Sequence, residues 1–434
     1  MRILLTGLCT VHWGRLEFGN IGNYYITETS VRELHRVFPD CEIVTTFQMT
    51  DDFCKREKIT RLPMELFYSW SDDDVAKSLY ELGIATVYHT TGKLPETTPY
   101  IQEVIKSDLI VDFSGEMWGD HAEPVGKNRF LIDLIKDRVA QLLNKPVVLL
   151  AGSQGPFSDP SLKEFAKEVF KDFKLIANRE PASADLLLEN GFDISKVKNF
   201  ACPAFLFEPT PDTQMVEIFT KEKIIDPSRS VVGYILCGFN MLEGPYDKTP
   251  REDEEFNLFA ESIEYIINDL GAKIVIMSHQ NGFELPPNFK LIPGRDYAIA
   301  KQLYDVLINR GKVKPEDVSC LKTPYLPGET KAIIKQYDMF ISGRVHAFVA
   351  AISQSVPSVL INRGFGKKSH RNIGFARSVG LEDYIADPHS IYDMKEKISK
   401  CWKNRTELRK FLDQRIPKIK DTARMAFDEL QNIV

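Results

Sequence analysis

The sequence predicts an α/β fold in which two doubly wound domains follow one another. Apolar runs of strand length alternate with helical patterns along most of the chain, and each run is apolar almost throughout. Strands of this kind are buried on both faces, which is typical of a parallel sheet covered by helices. The alternation stops at the polar, proline-containing stretch Glu208–Asp212 and then starts again, which indicates a linker between two domains.

Six strands are predicted before this linker and four after it. The first six are Ile3–Thr6, Glu42–Thr46, Leu109–Phe113, Val147–Ala151, Leu175–Ala177 and Val197–Phe200. The other four are Val231–Leu236, Lys273–Ser278, Asp338–Ile341 and Ser358–Ile361. Helical patterns lie between them at Tyr24–Val37, Lys127–Leu143, Pro181–Glu189, Glu252–Leu270, Tyr297–Arg310 and Glu329–Gln336. We therefore expect an N-terminal domain over 1–208, a C-terminal domain over 225–390 and a helical segment over 391–434.

Composition excludes several classes of function. The chain has 434 residues, a hydrophobic fraction of 43% and a charged fraction of 27%, which is typical of a globular protein of two or three domains. A net charge of -6 argues against general nucleic-acid binding. The seven cysteines are scattered without a C-x-x-C pair, which indicates reduced thiols and a cytoplasmic location. No apolar run is long enough to predict a membrane span, and the N-terminus does not have the pattern of a signal peptide.

The segment Ser342-Gly343-Arg344-Val345-His346-Ala347 carries the strongest prediction of chemistry. It joins a predicted strand to a predicted helix, so that the first helical N–H groups face a ligand above the sheet. Arg344 adds a fixed cation there, and His346 adds a group that can transfer a proton. A basic stretch follows, with no Asp or Glu between Arg363 and Arg377. These features predict a site for an anion that undergoes acid–base chemistry; an ordinary strand–helix corner with solvated basic residues is the alternative.

Polar residues also follow other predicted strands, at the sheet edge where ligands bind in parallel sheets. In the first domain we expect such residues to bind a sugar: Asn20, Asn23, Glu116, Trp118, Gln154 and Arg179. In the second domain His279 follows a strand as His346 does. The alternatives are a glycine-containing turn at Asn20 and Asn23, core packing of Trp118, and an ion pair between Arg179 and Glu180.

Six motifs, in order, resemble those of the polysaccharide pyruvyl transferases. They are Gly19-Asn20-Ile21-Gly22-Asn23, Asp108-Leu109-Ile110 leading to Ser114-Gly115, Gly152-Ser153-Gln154-Gly155-Pro156-Phe157, Arg179-Glu180 with Ser183, Pro203-Ala204-Phe205, and Ser342–Ala347. The resemblance implies two Rossmann-like domains, similar to those of GT-B glycosyltransferases, with the acceptor on the N-terminal side and the donor on the C-terminal side. The chain departs from the family at Asn23, Glu116 and Cys202, which affects the acceptor more than the donor.

The resemblance also implies a reaction. Members transfer a pyruvyl group from phosphoenolpyruvate to two hydroxyls of a sugar, as a cyclic ketal, in the synthesis of exopolysaccharides and other cell-surface glycans. It assigns Arg344 and His346 to the phosphoenolpyruvate site, with Lys367 or Lys368 as a basic companion. We expect His346 to be the general acid and Arg344 to bind the phosphate or carboxylate at two points, with His279 and Arg371 nearby. No metal and no cofactor besides the co-substrate phosphoenolpyruvate are expected.

Two other functions remain open from the sequence. One is a nucleotide-sugar glycosyltransferase of GT-B type, and the other is a non-catalytic binding protein of a polysaccharide assembly complex. Glycosyltransferases of this type usually hold the ribose with an acidic residue near the fourth strand of the second domain. Residues 361–377 are basic or neutral here, which favours a compact anionic donor. The sequence leaves open whether the acceptor sugar is nucleotide-linked, lipid-linked or polymeric, and what the oligomeric state is.

The C-terminal segment has two interpretations. Between Lys395 and Arg424 it holds eleven Lys and Arg but only four Asp and Glu. One interpretation is peripheral contact with the anionic inner face of a membrane or with a lipid-linked acceptor. The other is a solvated helix that packs back across the first domain through its apolar residues, which are Trp402, Leu408, Phe411, Leu412, Ile416 and Phe427.

Overall fold

The computed structural model contains two parallel sheets with helices between their strands, and it describes residues 1–8, 12–122, 128–365 and 369–434. The strands in these ranges are β1 (Arg2–Thr6), β2 (Glu42–Thr45), β3 (Ile59–Arg61), β4 (Leu109–Asp112), β5 (Val147–Gly152), β6 (Leu175–Asn178), β7 (Val197–Asn199), β8 (Val231–Ile235), β9 (Lys273–Ile276), β10 (Asn281–Glu284), β11 (Lys290–Pro293), β12 (Val318–Cys320), β13 (Met339–Ser342), β14 (Ser358–Ile361) and β15 (Ile385–Ala386). The helices are α1 (Ile21–Val37), α2 (Asp51–Glu57), α3 (Asp74–Thr91), α4 (Pro99–Lys106), α5 (Arg129–Leu142), α6 (Pro160–Asp172), α7 (Ala182–Glu189), α8 (Asp212–Lys221), α9 (Asn257–Asn268), α10 (Arg295–Asn309), α11 (Pro327–Lys335), α12 (Val345–Ile352), α13 (His370–Val379), α14 (Ile391–Lys403) and α15 (Arg405–Asp428).

The first compact unit comprises Met1–Glu17, Ile26–Pro203 and Asp421–Val434. Its seven strands are parallel and have the order β3-β2-β1-β4-β5-β6-β7. Leu4 of β1 lies between Val44 and Ile110 of the neighbouring strands, and all three side chains are buried. The central strands are apolar on both faces because helices cover both sides of the sheet.

The second compact unit comprises Phe18–Tyr25 and Ala204–Lys420. Its six parallel strands have the order β12-β9-β8-β13-β14-β15, and β10 and β11 form a separate antiparallel hairpin. The order in which successive strands are added to the sheet reverses at β8: β9 and β12 lie on one side of it, and β13, β14 and β15 lie on the other. Tyr234 of β8 lies opposite Ile341 of the parallel strand β13. Such a reversal opens a crevice at the carboxyl ends of the strands, so this edge is where a ligand is expected. The predicted fold class, with two doubly wound α/β units, is confirmed.

The borders of the compact units differ from the sequence expectation at three places, one of which is residues 204–208, expected in the first domain and grouped with the second unit. Residues Phe18–Tyr25, which were expected in the first domain, group with the second unit. The predicted C-terminal helical segment is present as α14 and α15, but its residues up to Lys420 group with the second unit and those from Asp421 with the first.

The C-terminal helices pack through most of the apolar residues named above. Leu412 and Phe427 are fully buried, Leu408 and Ile416 nearly so, and Phe411 is 41% exposed. Several basic residues of these helices form ion pairs, which are Lys395–Glu261, Lys400–Asp383, Lys410–Glu407, Lys420–Glu208 and Arg424–Asp421. Within the described ranges, no helix combines the length and the apolar character that a membrane crossing requires.

Candidate functional site

The corner between β13 and α12 is built from small residues. Gly343 lies against Asn240, and a methyl group on it would come within 2.1 Å of Asn240 Oδ1. Ser342 Oγ donates to the carbonyl of Arg344 at 2.7 Å and accepts from its N–H at 3.3 Å. Arg344 is in the extended conformation that precedes the first helical residue, Val345. The corner therefore presents Arg344 and His346 at the start of a helix, as the sequence predicts.

The guanidinium of Arg344 is bound on one edge by a carboxylate that the sequence did not reveal. Its Nε and Nη2 donate to the two carboxylate oxygens of Asp296, with an Nη2–Oδ1 distance of 2.6 Å. Nη2 also lies 3.3 Å from Gln280 Oε1. Among the described residues, Nη1 has no hydrogen-bond partner. The two-point contact of Arg344 in this structure is with buried Asp296, on the first turn of α10, and its contact with a ligand stays a prediction.

His346 occupies the second position of α12 and is partly buried. Its ring is perpendicular to that of Phe375, with the centroids 5.8 Å apart. On another side it lies against Gly22, where a methyl group would come within 2.6 Å of the Cβ and Nδ1 of His346. Gly22 is in the first turn of α1. This helix start is therefore in direct contact with the imidazole, and only glycine fits there without moving it.

Asn20 and Asn23 belong to the same helix start. Asn20 Oδ1 accepts a hydrogen bond from the backbone of Asn23 at 3.2 Å, which is the contact of an N-cap. Asn20 also forms a β-bridge with Gln280, the residue that contacts Arg344. The sequence grouped both asparagines with the acceptor residues of the first domain, but the contacts above join them to the second unit, on the His346 side.

His279 lies beside this site and is buried. Its ring packs against the ring of Tyr25 at 5.5 Å, and its Nε2 has no hydrogen-bond partner among the described residues. Burial, together with the positive charge of Arg344, lowers the pKa of His279 to about 3. The imidazole is therefore neutral at physiological pH, so any contact it makes with a ligand would be a hydrogen bond without charge.

Asn240 joins three strand ends of the second sheet. Its Nδ2 lies 3.1 to 3.3 Å from the carbonyls of Gly343, Ile361 and Asn362, which follow or end β13 and β14. Its Oδ1 accepts from the N–H of Cys237, just after β8, at 3.0 Å. Asn240 was not predicted from the sequence, although its position after a predicted strand was the available signal.

Two arginines share the ring of Phe239, which follows β8. The guanidinium carbon of Arg344 lies 5.9 Å from the ring centroid and that of Arg363 lies 5.5 Å from it. Arg363 is also 4.9 Å from the ring of Phe365. We call Arg344 and Arg363 the arginine pair.

Arg371, on the first turn of α13, is also in the second unit, and burial lowers its pKa to about 10. Lys367 and Lys368, the predicted basic companions, lie outside the described residues.

Three of the predicted acceptor residues lie at strand ends of the first unit. Arg179 follows β6 and is nearly fully buried, with its Nη2 3.6 Å from Glu116 Oε2. Gln154 follows β5 and is fully buried against Gly152, whose added methyl group would meet Gln154 Nε2 at 2.1 Å. Neither polar atom of the Gln154 side chain has a partner among the described residues. Their role in acceptor binding stays a prediction.

The expectation for Trp118 is corrected by its surroundings. The side chain is fully buried and packs edge-on against Phe130 at 5.3 Å and Phe157 at 6.0 Å. Phe170 contacts it as well. A tryptophan that stacks on a sugar must expose one face, so Trp118 is a core residue.

Three buried carboxyl groups form a cluster at the end of β4 that sequence reasoning missed. The cluster comprises Asp112, Asp133 and Asp137, whose nearest oxygens all lie within 4.8 Å of one another. Ser114 Oγ donates to Asp112 at 2.5 Å and lies 2.9 Å from an oxygen of Asp133. Burial raises the pKa of all three carboxyls, and the mutual repulsion of their charges adds to this for Asp133 and Asp137. Such a group can hold a cation or retain protons. We call it the carboxyl cluster.

Known proteins share both the sequence pattern and the fold of this chain. The family model described as polysaccharide pyruvyl transferase matches residues 20–364, which run from the Asn20 turn to the loop of Arg363. The chain belongs to this family. Among characterised relatives, the amylovoran biosynthesis protein AmsJ of Erwinia amylovora is 23% identical over 413 residues, covering 91% of this chain and 89% of that protein.

Solved structures agree with the GT-B-like fold of this pyruvyl transferase family member. A glycosyltransferase from Rickettsia africae has a TM-score of 0.60 at 10% identity and covers 100% of this chain and 99% of its own. A UDP-GlcNAc 2-epimerase from Neisseria meningitidis has a TM-score of 0.59 at 12% identity, with both chains fully covered. HepE from Anabaena, in complex with UDP and glucose, has a TM-score of 0.56 at 10% identity, covering 100% and 98%. At these identities the likeness concerns the fold alone.

Proposed function

We propose that this protein transfers the pyruvyl group of phosphoenolpyruvate to two hydroxyls of a sugar, forming a cyclic ketal, in the cytoplasmic synthesis of an exopolysaccharide. Membership of the pyruvyl transferase family and the relative from amylovoran biosynthesis support the reaction class. The observation that carries the proposal is the combination at one strand–helix corner of an imidazole, a guanidinium and a helix N-terminus. A small dianion with a carboxylate and a phosphate suits such a corner.

The chemistry assigns a step to each group. His346, as imidazolium, donates a proton to the methylene carbon C3, which leaves positive charge at C2 for a sugar hydroxyl to attack. The bond between C2 and the phosphate oxygen then breaks, and a second hydroxyl closes the ring. Phosphoenolpyruvate and the diol thus give the ketal and hydrogen phosphate. One hydroxyl proton restores the imidazolium and the other leaves with the phosphate. Arg344 contributes Nη1, which Asp296 leaves available, to the bound anion.

The acceptor is proposed to bind along the strand ends of the first unit. Glu116, which is 42% exposed, can accept a hydrogen bond from a sugar hydroxyl, and Arg179 keeps its carboxylate oriented at 3.6 Å. Gln154, with two unused polar atoms, is the third candidate. The phosphate-release assay described next, run with nucleotide-linked, lipid-linked and polymeric sugars, identifies which kind of acceptor is used.

The test measures phosphate release from phosphoenolpyruvate with and without sugar acceptors, followed by mass spectrometry of the acceptor. We expect acceptor-dependent release and an acceptor whose mass increases by one pyruvyl ketal. The His346→Gln variant should lose ~10²- to 10⁴-fold in rate because it cannot donate the proton. His389→Gln is the matched control, since His389 is an exposed histidine of the same unit that pairs with Asp387.

Three results would contradict the proposal. Wild-type rates in His346→Gln would remove the proposed general acid. Transfer of a sugar from a UDP-sugar, with no phosphate released from phosphoenolpyruvate, would identify a glycosyltransferase. A protein that binds the glycan without releasing phosphate from either donor would be a non-catalytic partner.

A further inference from the structure

Arg363 has no ion-pair partner among the residues that the structure describes. It follows β14 and lies partly buried between the rings of Phe239 and Phe365, at 5.5 and 4.9 Å. Within the described parts of the chain it has no carboxylate within ion-pair distance, and its buried Nε has no hydrogen-bond partner. Arg344, by contrast, has a two-point ion pair with Asp296. The charge of Arg344 is therefore already compensated by a carboxylate, whereas the charge of Arg363 is available to a bound anion.

A partly desolvated guanidinium has few ways to lower its free energy. A buried carboxyl can take up a proton, but arginine stays charged at any physiological pH. Burial lowers the pKa of Arg363 by removing water from the charged guanidinium, and no described carboxylate nearby raises it again. Aromatic rings stabilise a guanidinium through its flat faces, which leaves the in-plane N–H groups unused. Those N–H groups have the geometry that binds two oxygens of a phosphate.

The loop that carries Arg363 is held in one position. The carbonyl of Asn362 accepts from Asn240 at 3.2 Å, and its side-chain oxygen accepts from the N–H of Arg363 at 2.9 Å. The next residue, Gly364, donates to the carbonyl of Phe239 at 2.9 Å. A methyl group on Gly364 would come within 2.1 Å of the carbonyl oxygen of Met241. The guanidinium of Arg363 thus follows a fixed backbone at the carboxyl edge of the sheet, beside Arg344.

We propose that Arg363 is the principal ligand of the donor's phosphate, and that Asp296 is a positioning residue that holds Arg344 so that only Nη1 faces the donor. This inference rests on the proposed function and names the residues that select a dianionic donor. The two arginines then have different roles, because Arg363 supplies uncompensated charge whereas the Arg344–Asp296 pair supplies orientation.

The test measures binding at equilibrium, apart from turnover. Phosphoenolpyruvate and inorganic phosphate are titrated by calorimetry into the wild type, Arg363→Gln, Arg363→Lys and Arg415→Gln. Arg415→Gln is the matched control, because Arg415 is in the same unit and its side chain donates to the carbonyl of Ser378 near the surface. Removing a charge-assisted contact should weaken the binding of both anions by about 10- to 100-fold in Arg363→Gln, less in Arg363→Lys, and not measurably in the control.

Steady-state kinetics test the part of Asp296. In Asp296→Asn, Arg344 gains net charge but loses its fixed orientation, so kcat should fall at least tenfold while the affinity for phosphate stays equal or increases. Asp305→Asn, on the same helix and paired with Lys301 at the surface, is the control. A purely structural role would lower affinity and melting temperature together.

The possible outcomes separate the two proposals. If Arg363→Gln, with a wild-type circular dichroism spectrum, binds both anions as tightly as the wild type, the inference is overturned even if the enzyme is active. If the wild type binds neither anion, the inference is overturned as well. If the anions bind in an Arg363-dependent manner but no ketal is formed with any acceptor, the inference stands and the proposed function fails.

Discussion

The two sheets share the strand order of doubly wound folds but differ in the ionisable groups that cluster at their carboxyl edges. The first unit has the carboxyl cluster at the end of β4, with Arg129 as the neighbouring cation. The second has the arginine pair beyond β13 and β14, with Asp296 as the carboxylate that binds Arg344. The same topology therefore supports two chemically opposite sites, so the side chains beyond the strands decide what each edge can bind.

The difference lies in how each edge can neutralise its charge. Carboxyl groups that are buried together become neutral by retaining protons, which is why burial raises the pKa of Asp112 and its neighbours. Arginine has no neutral form in this range, so excess positive charge has to be met by an anion. The acidic edge can be complete without a ligand, whereas in the proposed function an anionic donor completes the basic edge.

Among the effects that test this comparison, the largest concerns the contact between the first turn of α1 and His346. Gly22→Ala places a methyl group 2.6 Å from the ring of His346, so the imidazole must move. Displacing a catalytic group by about 1 Å typically costs on the order of 10²-fold in rate, and we expect that loss in kcat. Gly83→Ala is the control: Gly83 is on α3, nothing lies within 4 Å of its added methyl group, and alanine should stabilise the helix by ~0.5–1 kcal/mol. Equal kcat in both variants would contradict the prediction that the contact with Gly22 fixes the position of the His346 imidazole.

The second prediction is that the two edges respond to pH with opposite signs. The native pKa of His279 is about 3, below the ordinary value of 6.5, so the unfolded chain binds the extra proton as the pH falls. The free energy of opening around β9 should then decrease from about pH 6.5 downward, by at most ~1.4 kcal/mol per pH unit. The carboxyl cluster has raised pKa values, so the stability around β4 is present at low pH and decreases as the pH rises above about 4.

Hydrogen exchange of peptides from β4 and β9, corrected for the intrinsic pH dependence of exchange, measures both slopes. His279→Gln should flatten the slope at β9, and Asp133→Asn should reduce the slope at β4. Slopes of the same sign at the two strands, unaffected by these substitutions, would refute the comparison.

The smallest expected effect concerns the basic C-terminal helices, several of whose cations differ from Arg363 in having carboxylate partners. Lys395, Lys400 and Lys420 each lie within 2.8 Å of a carboxylate oxygen. A free basic residue near an anionic surface contributes ~1 kcal/mol to membrane binding, and paired ones contribute less. We expect little sedimentation with phosphatidylglycerol vesicles at low salt and none at moderate salt. Strong salt-sensitive sedimentation would instead support the peripheral membrane contact that the sequence left open.

The sequence was informative where physical signals are local. Continuous apolar runs located ten strands, and the polar residues after them correctly indicated the corner of Arg344 and His346. The strands that were missed are short and lie at the edges of the sheets, such as β3 and β12 with three residues each. The hairpin of β10 and β11 was missed because Asn281–Glu284 is half polar and only partly buried.

The parts of the site that escaped prediction depend on contacts between distant segments. Asp296 is 48 residues from Arg344, and no local pattern distinguishes it from any other acidic residue at a helix start. The side chain of Trp118 follows a strand end, as a ligand-binding residue would, but its environment is set by phenylalanines of other elements. Asn20 and Gly22 were recognised as a motif, yet the motif does not say that their neighbours are Gln280 and His346.

The contacts of the Asn240 amide limit which substitutions this sequence can accept. Aspartate has nearly the same shape, but Asn240→Asp would replace the amide N–H donor with a negatively charged oxygen. This oxygen would face three carbonyl oxygens and be repelled by them. Gly343 and Gly364 are equally constrained, since any side chain there would overlap Asn240 or the carbonyl beside it. A substitution at any one of these three uncharged positions should therefore displace the strand–helix corner itself, even where every charged group around it is kept.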